Sequence, residues 1–179
     1  MAKKKYIYEG LHDCNAAVGI AGGDKLCPNG CIGLGSCARA CPFDAIRVIN
    51  GIAAVDYDEC RACGVCVVTC PKHLITLIPY DASHWVGCKS QDKAPVVRSY
   101  CKVGCVACGL CIKKCPQGAI SLVGNLATID YSLCTGCGIC AQACPRKIIW
   151  SDKAQKQYGV YLASETLQGQ KGDYVEHEN

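Results

Sequence analysis

The placement of cysteine constrains this chain more than any other feature. Cys14, Cys27, Cys31, Cys37, Cys41, Cys60, Cys63, Cys66 and Cys70 recur 74 positions later as Cys88, Cys101, Cys105, Cys111, Cys115, Cys134, Cys137, Cys140 and Cys144, with no insertion or deletion between them. Ile46, Asp56 and Tyr57 obey the same offset and land on Ile120, Asp130 and Tyr131. A fixed period of this kind marks an internal repeat. The repeated unit runs from about residue 11 to about residue 84. Cys108 alone lacks a counterpart, because Leu34 stands at the matching place.

Nineteen cysteines in 179 residues also decide what holds the chain together. Half of the residues count as hydrophobic, but that half includes the cysteines, and there are only one Phe and two Trp. The length suits one or two small domains whose aliphatic core needs help from disulfides or metal. Met1 to Tyr6 carries lysines with no apolar stretch behind them, so it does not read as a secretory signal. The expected compartment is then the reducing cytoplasm, where metal explains cysteine better than disulfides do. No apolar run approaches the length of a membrane span.

The unit is itself doubled. Cys60-x2-Cys63-x2-Cys66-x3-Cys70-Pro71, Cys105-x2-Cys108-x2-Cys111-x3-Cys115-Pro116 and Cys134-x2-Cys137-x2-Cys140-x3-Cys144-Pro145 are complete runs. Cys27-x3-Cys31-x5-Cys37-x3-Cys41-Pro42 is a fourth, altered one. Three thiolates spaced by two on a tight loop wrap three irons of a 4Fe-4S cube, and in two-cluster proteins the fourth cysteine ligates the other cube. A zinc site is built from two pairs rather than a triplet plus one. The expectation is four 4Fe-4S clusters.

The interleaving rule assigns Cys60, Cys63, Cys66 and Cys41 to one cluster. It assigns Cys105, Cys108, Cys111 and Cys144 to a second, and Cys134, Cys137, Cys140 and Cys115 to a third. The remaining cluster takes Cys31, Cys37 and Cys70 and needs a replacement for Leu34. Cys27 is the nearest thiol, and Gly30, Gly33 and Gly35 let the loop bend. The rivals are Cys14 as ligand, or a three-iron cluster. Cys14, Cys88 and Cys101 then remain, either as small buried hydrophobes or as a Cys88–Cys101 redox pair or a ligand swap with Cys105. His12, His73, His84 and His177 form no paired metal-binding pattern and read as surface or loop residues.

Between the runs the chain reads as short strands. Residues 45–49 and 52–56 flank Asn50-Gly51, the favoured hairpin turn, and 119–123 and 126–130 repeat the hairpin around Gly124-Asn125. Residues 74–78 and 148–150 read as closing strands, 65–70 and 139–144 as short helices, and 79–87 as a linker. The fold class is α+β, two tandem bacterial-type 2[4Fe-4S] ferredoxin modules. The expected layout is an N-terminal extension over 1–10, modules over 11–84 and 85–154, and a polar, extended tail over 155–179.

Neither G-x-G-x-x-G after a strand, nor a P-loop, nor G-x-S-x-G is present, so no catalytic site is expected within the chain. Charge points to partners. Residues 86–156 carry ten basic and three acidic residues, whereas residues 12–85 carry five and seven. Lys89, Lys93, Arg98, Lys102, Lys113 and Lys114 crowd into the second unit, where they suit an acidic redox partner such as a ferredoxin or flavodoxin. Aromatic residues do not interleave with them, which argues against nucleic acid.

Tyr8-Glu9-Gly10, Asp13-Cys14-Asn15-Ala16-Ala17, Gly22-Gly23-Asp24-Lys25 and the segment from Cys27 to Cys37 resemble the soluble ferredoxin region of the B subunit of Rnf complexes, over residues 6–150 or so. Those complexes are membrane-bound, ion-translocating ferredoxin:NAD oxidoreductases. The resemblance implies an iron–sulfur subunit that passes low-potential electrons from ferredoxin towards flavin-bearing subunits and NAD. It would sit at the cytoplasmic membrane face through its complex. It also implies a membrane helix and a further cysteine cluster ahead of this region, neither of which lies within these residues. The alternatives are a free-standing polyferredoxin serving a dehydrogenase, hydrogenase or reductase, and a cluster-bearing scaffold or redox sensor.

Overall fold

The computed structural model describes residues 2–151; the expected polar tail lies outside them. Six helices are present among these residues: α1 Cys14–Gly19, α2 Ser36–Arg39, α3 Val65–Thr69, α4 Ala94–Tyr100, α5 Leu110–Lys114 and α6 Ile139–Ala143. None exceeds seven residues, a length at which an isolated helix does not persist in water. Their ends are set by the cysteine runs. Gly35, Gly64, Gly109 and Gly138 take left-handed conformations at the N-caps of α2, α3, α5 and α6. Cys70, Cys115 and Cys144 leave α3, α5 and α6 in extended conformation, each just ahead of a proline.

Two hairpins follow the expected pattern. Strands β1 Ile46–Ile49 and β2 Ile52–Val55 pair antiparallel with Ile46 opposite Val55. Asn50 and Gly51 both hold positive φ, as a type I′ turn demands. Strands β4 Ile120–Val123 and β5 Leu126–Ile129 repeat the arrangement with Ile120 opposite Ile129. Ile46, Ala54, Ile120, Ala127 and Ile129 face inward and are buried.

The closing strands differ from expectation. Residues 74–78 form no strand, and the expected linker contains β3 His84–Val86, which pairs antiparallel with β6 Ile149–Ser151. At the matching places the first unit has Gly10-Leu11-His12 where the second has His84-Trp85-Val86. A glycine and no aromatic residue give that segment little to pack on a pleated surface. In the second unit Trp85 opposes Trp150. Gly87 lets the Trp150 ring lie on the backbone, where a Cβ would come within 2.9 Å of ring atoms.

The first residues join the two units. Lys3 N–H donates to Tyr100 O at 2.9 Å, Leu26 N–H donates to Lys3 O at 2.8 Å, and Lys5 N–H donates to Asp24 O at 2.7 Å. Arg146 donates to Gly104 O and Cys101 O at 3.1 and 2.5 Å, fixing the chain just ahead of Cys105. The second unit's core gathers Cys105, Cys111 and Cys140 with Ile120, Ala127, Ile129, Ile148 and Ile149.

Candidate metal centres

All four runs share one backbone signature. Left-handed residues flank the middle position of each: Gly33 and Gly35 around Leu34, Ala62 and Gly64 around Cys63, Ala107 and Gly109 around Cys108, Gly136 and Gly138 around Cys137. A further left-handed residue follows each fourth cysteine by three: Asp44, His73, Gly118 and Lys147. Alternation of right- and left-handed conformations turns successive N–H groups into a concave, anion-accepting loop. The altered first run therefore keeps the cluster-loop backbone although its middle thiol is gone. At Gly33 the conformation also requires glycine, because a Cβ would lie 2.4 Å from Gly51 O.

The loops bring thiols together around space. Cys41, Cys60, Cys63 and Cys66 line one small cavity, walled by Phe43, Ile46 and Leu77. Cys115, Cys134, Cys137 and Cys140 line another, with Ile120 and Ile129. Burial first, and then the charges of neighbouring thiols, push Cys66, Cys111 and Cys140 upward in pKa. The neighbours of Cys66 are Cys60, Cys41 and Cys63. Those of Cys111 are Cys144, Cys105 and Cys108. Cys140 is pushed up to about 11 by burial and by Cys134, Cys115 and Cys137. Each group joins three cysteines of one run to the fourth of its partner run, the interleaving read from the sequence.

The remaining group differs in one member. Cys37 is pushed up to about 11 by burial and by Cys31, Cys14 and Cys70. Burial also raises Cys31, with Cys14 and Cys70 adding to it. Cys27, the expected replacement for Leu34, sits instead with Val97, Tyr100, Cys101 and Val106 in a buried cluster. Its own thiol is raised by burial, lowered by the Asn29 N–H, and raised again by Cys101 and Cys88. The placement of these two cysteines has local causes. Asp13 caps α1 by accepting from Asn15 N–H and Ala16 N–H at 2.8 and 3.1 Å. The Ser36 hydroxyl accepts from Cys14 N–H at 2.7 Å and donates to Asp13 at 2.8 Å. The residue before Cys37 thus holds Cys14 in place, while Lys3 draws Leu26, and Cys27 after it, towards Tyr100.

These donor sets fit iron–sulfur clusters. Burial and mutual repulsion oppose ionisation of four neighbouring thiols, and bound iron reverses that balance. The thiols ring a cavity rather than converge: among the described residues no three Cys, His, Asp or Glu side chains gather for a single ion. A cube takes one thiolate per iron and needs such a ring.

Comparison with known proteins agrees. Two 4Fe-4S dicluster domain families match, one over residues 24–71 and the other over 104–148. The chain is a tandem of two 4Fe-4S dicluster domains. Two clusters in each make four in the tandem dicluster protein. Three curated homologues are B subunits of ion-translocating oxidoreductases, the family that the segment around Cys14 and Cys27 resembles. The B subunit of the Na(+)-translocating ferredoxin:NAD(+) oxidoreductase complex of Acetobacterium woodii is 44% identical over 128 residues, which are 71% of this chain and 38% of that protein. The proton-translocating counterpart of Clostridium ljungdahlii is 44% identical over 134 residues, 74% of this chain and 47% of that protein. The B subunit of the ion-translocating oxidoreductase complex of Methanosarcina acetivorans is 39% identical over 130 residues, 72% and 49% respectively. The chain spans less than half the length of these relatives.

Of the histidines read as surface or loop residues, His84 lies half-buried in β3. His84 lines the cavity of Cys134, Cys137 and Cys140. Its Nδ1 lies 3.0 Å from Ser83 Oγ. Its Nε2 stands against Gly138, where a Cβ would come within 3.0 Å. No spacing rule reveals this, because β3 carries His84 there by pairing with β6. His177 lies outside the described residues. No helix among them is long and apolar enough to cross a membrane.

Proposed function

We propose that the tandem dicluster protein is an electron-transfer subunit that relays low-potential electrons through four 4Fe-4S clusters, from ferredoxin towards the flavin and NAD subunits of an Rnf-type complex. The bound clusters supply one-electron storage and transfer. The carrying observation is the interleaving of the runs: Cys41 stands with Cys60, Cys63 and Cys66, and Cys115 with Cys134, Cys137 and Cys140. Each run thereby contributes to two adjacent sites, and adjacency is what short electron hops require.

We assign the ligands as Cys60, Cys63, Cys66 and Cys41; Cys105, Cys108, Cys111 and Cys144; Cys134, Cys137, Cys140 and Cys115; and Cys31, Cys37 and Cys70 with Cys14. Cys14 takes the role that spacing alone assigns to Cys27, since its neighbours are Cys31 and Cys37. The thiolates would hold the iron, and N–H groups of the left-handed loops would be available to hydrogen-bond the cluster and tune its potential. The exposed Lys93, Arg98, Lys102, Lys113 and Lys114 steer an acidic ferredoxin or flavodoxin to the second domain. Lys89, also exposed, is already engaged with the Thr76 hydroxyl. The similarity to the B subunits supports a place at the cytoplasmic membrane face, held there by the other subunits.

The test is anaerobic stopped-flow mixing of the holoprotein with a pre-reduced acidic ferredoxin, following cluster absorbance. Rapid bleaching, with Rnf-type subunits recovered by affinity isolation from the native host, is the expected result. Failure to accept electrons from any low-potential ferredoxin, or recovery with a soluble dehydrogenase instead, would overturn it.

A further inference from the structure

The four ligand groups use sixteen of the nineteen cysteines and leave Cys27, Cys88 and Cys101. These three come from matched places in the repeat. Cys101 is the counterpart of Cys27, and Cys88 is the counterpart of Cys14. The second unit needs no substitute ligand, because Cys108 fills the place of Leu34, so both of its extra thiols are free for other use.

Cys27 and Cys101 meet where the two units join, and Cys88 packs against the core of the second unit. Cys27 and Cys101 belong to one buried cluster with Val97, Tyr100 and Val106. Lys3 bonds to Leu26 and to Tyr100, the residues directly before the two cysteines. Ser90, two residues beyond Cys88, is buried with its hydroxyl 2.9 Å from that of Tyr100. Tyr100 in turn donates to Asp92 at 2.6 Å. Three segments distant in sequence are thus tied at one tyrosine, each carrying a thiol. Among the thiols acting on Cys27 are those of Cys101 and Cys88.

We propose that Cys27, Cys88 and Cys101 hold a fifth iron–sulfur cluster, between the two dicluster domains. This rests on the four-cluster assignment above. Inside each domain each run supplies ligands to both sites, whereas no run is shared across the junction. A three-thiolate cluster there completes a continuous electron path. On assembly the three thiols release their protons to solvent. In operation the site takes one electron from a cluster of one domain and returns one to a cluster of the other, so no further reductant enters. With three protein thiolates the cluster either lacks one iron or completes it with a non-thiolate ligand.

The experiment is iron, sulfide and zinc analysis of the full chain, anaerobically purified and reconstituted, with EPR in oxidised and reduced states. Wild type should hold about nineteen or twenty irons, against about sixteen for four cubes alone. Cys27→Ser, Cys88→Ser and Cys101→Ser should each lose about three or four irons and one EPR component, leaving about sixteen. Cys88 is only half-buried, so Cys88→Ser keeps the test open should a buried variant fail to fold. A wild type at about sixteen irons with unaltered serine variants would overturn the fifth cluster and spare the other four. Stoichiometric zinc at the junction, or a disulfide among the three in the anaerobic holoprotein, would also overturn it. A count well below sixteen would instead strike the four-cluster assignment.

Discussion

The hydroxyl of Ser36 accepts a hydrogen bond from the backbone N–H of Cys14 at 2.7 Å. That contact, across 22 positions, places a thiol from α1 beside the helix that carries Cys37. It explains how the first run keeps its loop conformation after the middle cysteine has become Leu34. In the ligand assignment proposed above, Cys14 reaches the site from outside the run, and Ser36 holds it there.

The first prediction concerns this substitution. Cys14→Ser should lower the iron content by about four or leave a three-iron cluster visible by EPR in the oxidised state. Leu34→Cys in the Cys14→Ser background should restore the cube, because Gly33 and Gly35 already hold the loop as Ala107 and Gly109 hold it around Cys108. Unchanged iron in Cys14→Ser would remove Cys14 from the ligand set.

Ser36 is buried and serves both Cys14 and Asp13. Ser36→Ala leaves the Cys14 N–H without this acceptor and should cost about 1–3 kcal/mol. The expected readout is faster chelator-driven iron loss from one cluster, with the second domain's clusters released at the wild-type rate.

Gly33 packs its Cα against the β1–β2 turn, and a Cβ would stand 2.4 Å from Gly51 O. Gly33→Ala must displace either the cluster loop or the hairpin, and a lowered melting temperature in the holoprotein should report a loss of about 1–3 kcal/mol. The matching Ala107 already carries a side chain at positive φ. Ala107→Gly should therefore leave stability within about 1 kcal/mol of wild type.

Removing the clusters should remove the fold. The helices are too short to stand alone, and cysteine thiols make up a large part of the buried core. Metal binding in small domains supplies folding free energy. Apoprotein prepared by chelation under reducing conditions should show no cooperative thermal transition in calorimetry. A transition as sharp as that of the holoprotein would contradict this.

Docking should be electrostatic. Lys113 and Lys114 are exposed at the end of α5, next to Cys115 and outside every ligand group. Charge reversal of both should slow electron uptake from an acidic ferredoxin about tenfold or more at low salt while iron content stays constant. The wild-type rate should fall as ionic strength rises. A rate indifferent to both changes would mean that these lysines only balance cluster charge.

Much of the architecture was legible because its causes are local. A triplet of cysteines spaced by two, a fourth three residues on and a proline after it define a loop, a short helix and an exit. The Asn50-Gly51 turn fixes a hairpin by itself. Ala62 and Ala107 are different: nothing in an alanine announces positive φ, and only closure of the loop imposes it. His84 likewise reaches its cavity only because β3 pairs with β6.

The sequence alone determined the duplication and the four clusters of the two dicluster domains, since these follow from the spacing of cysteines within a few residues. Only the tertiary structure decided where Cys14 and Cys27 go. Both lie upstream of the altered loop, and proximity in sequence favours Cys27. The outcome rests on contacts over long separations: Ser36 and Asp13 hold Cys14 towards Cys37, while Lys3 and Tyr100 hold Cys27 at the junction. Chain proximity sets only how little entropy it costs to close a loop, and a few well-placed hydrogen bonds and a buried apolar cluster outweigh that difference.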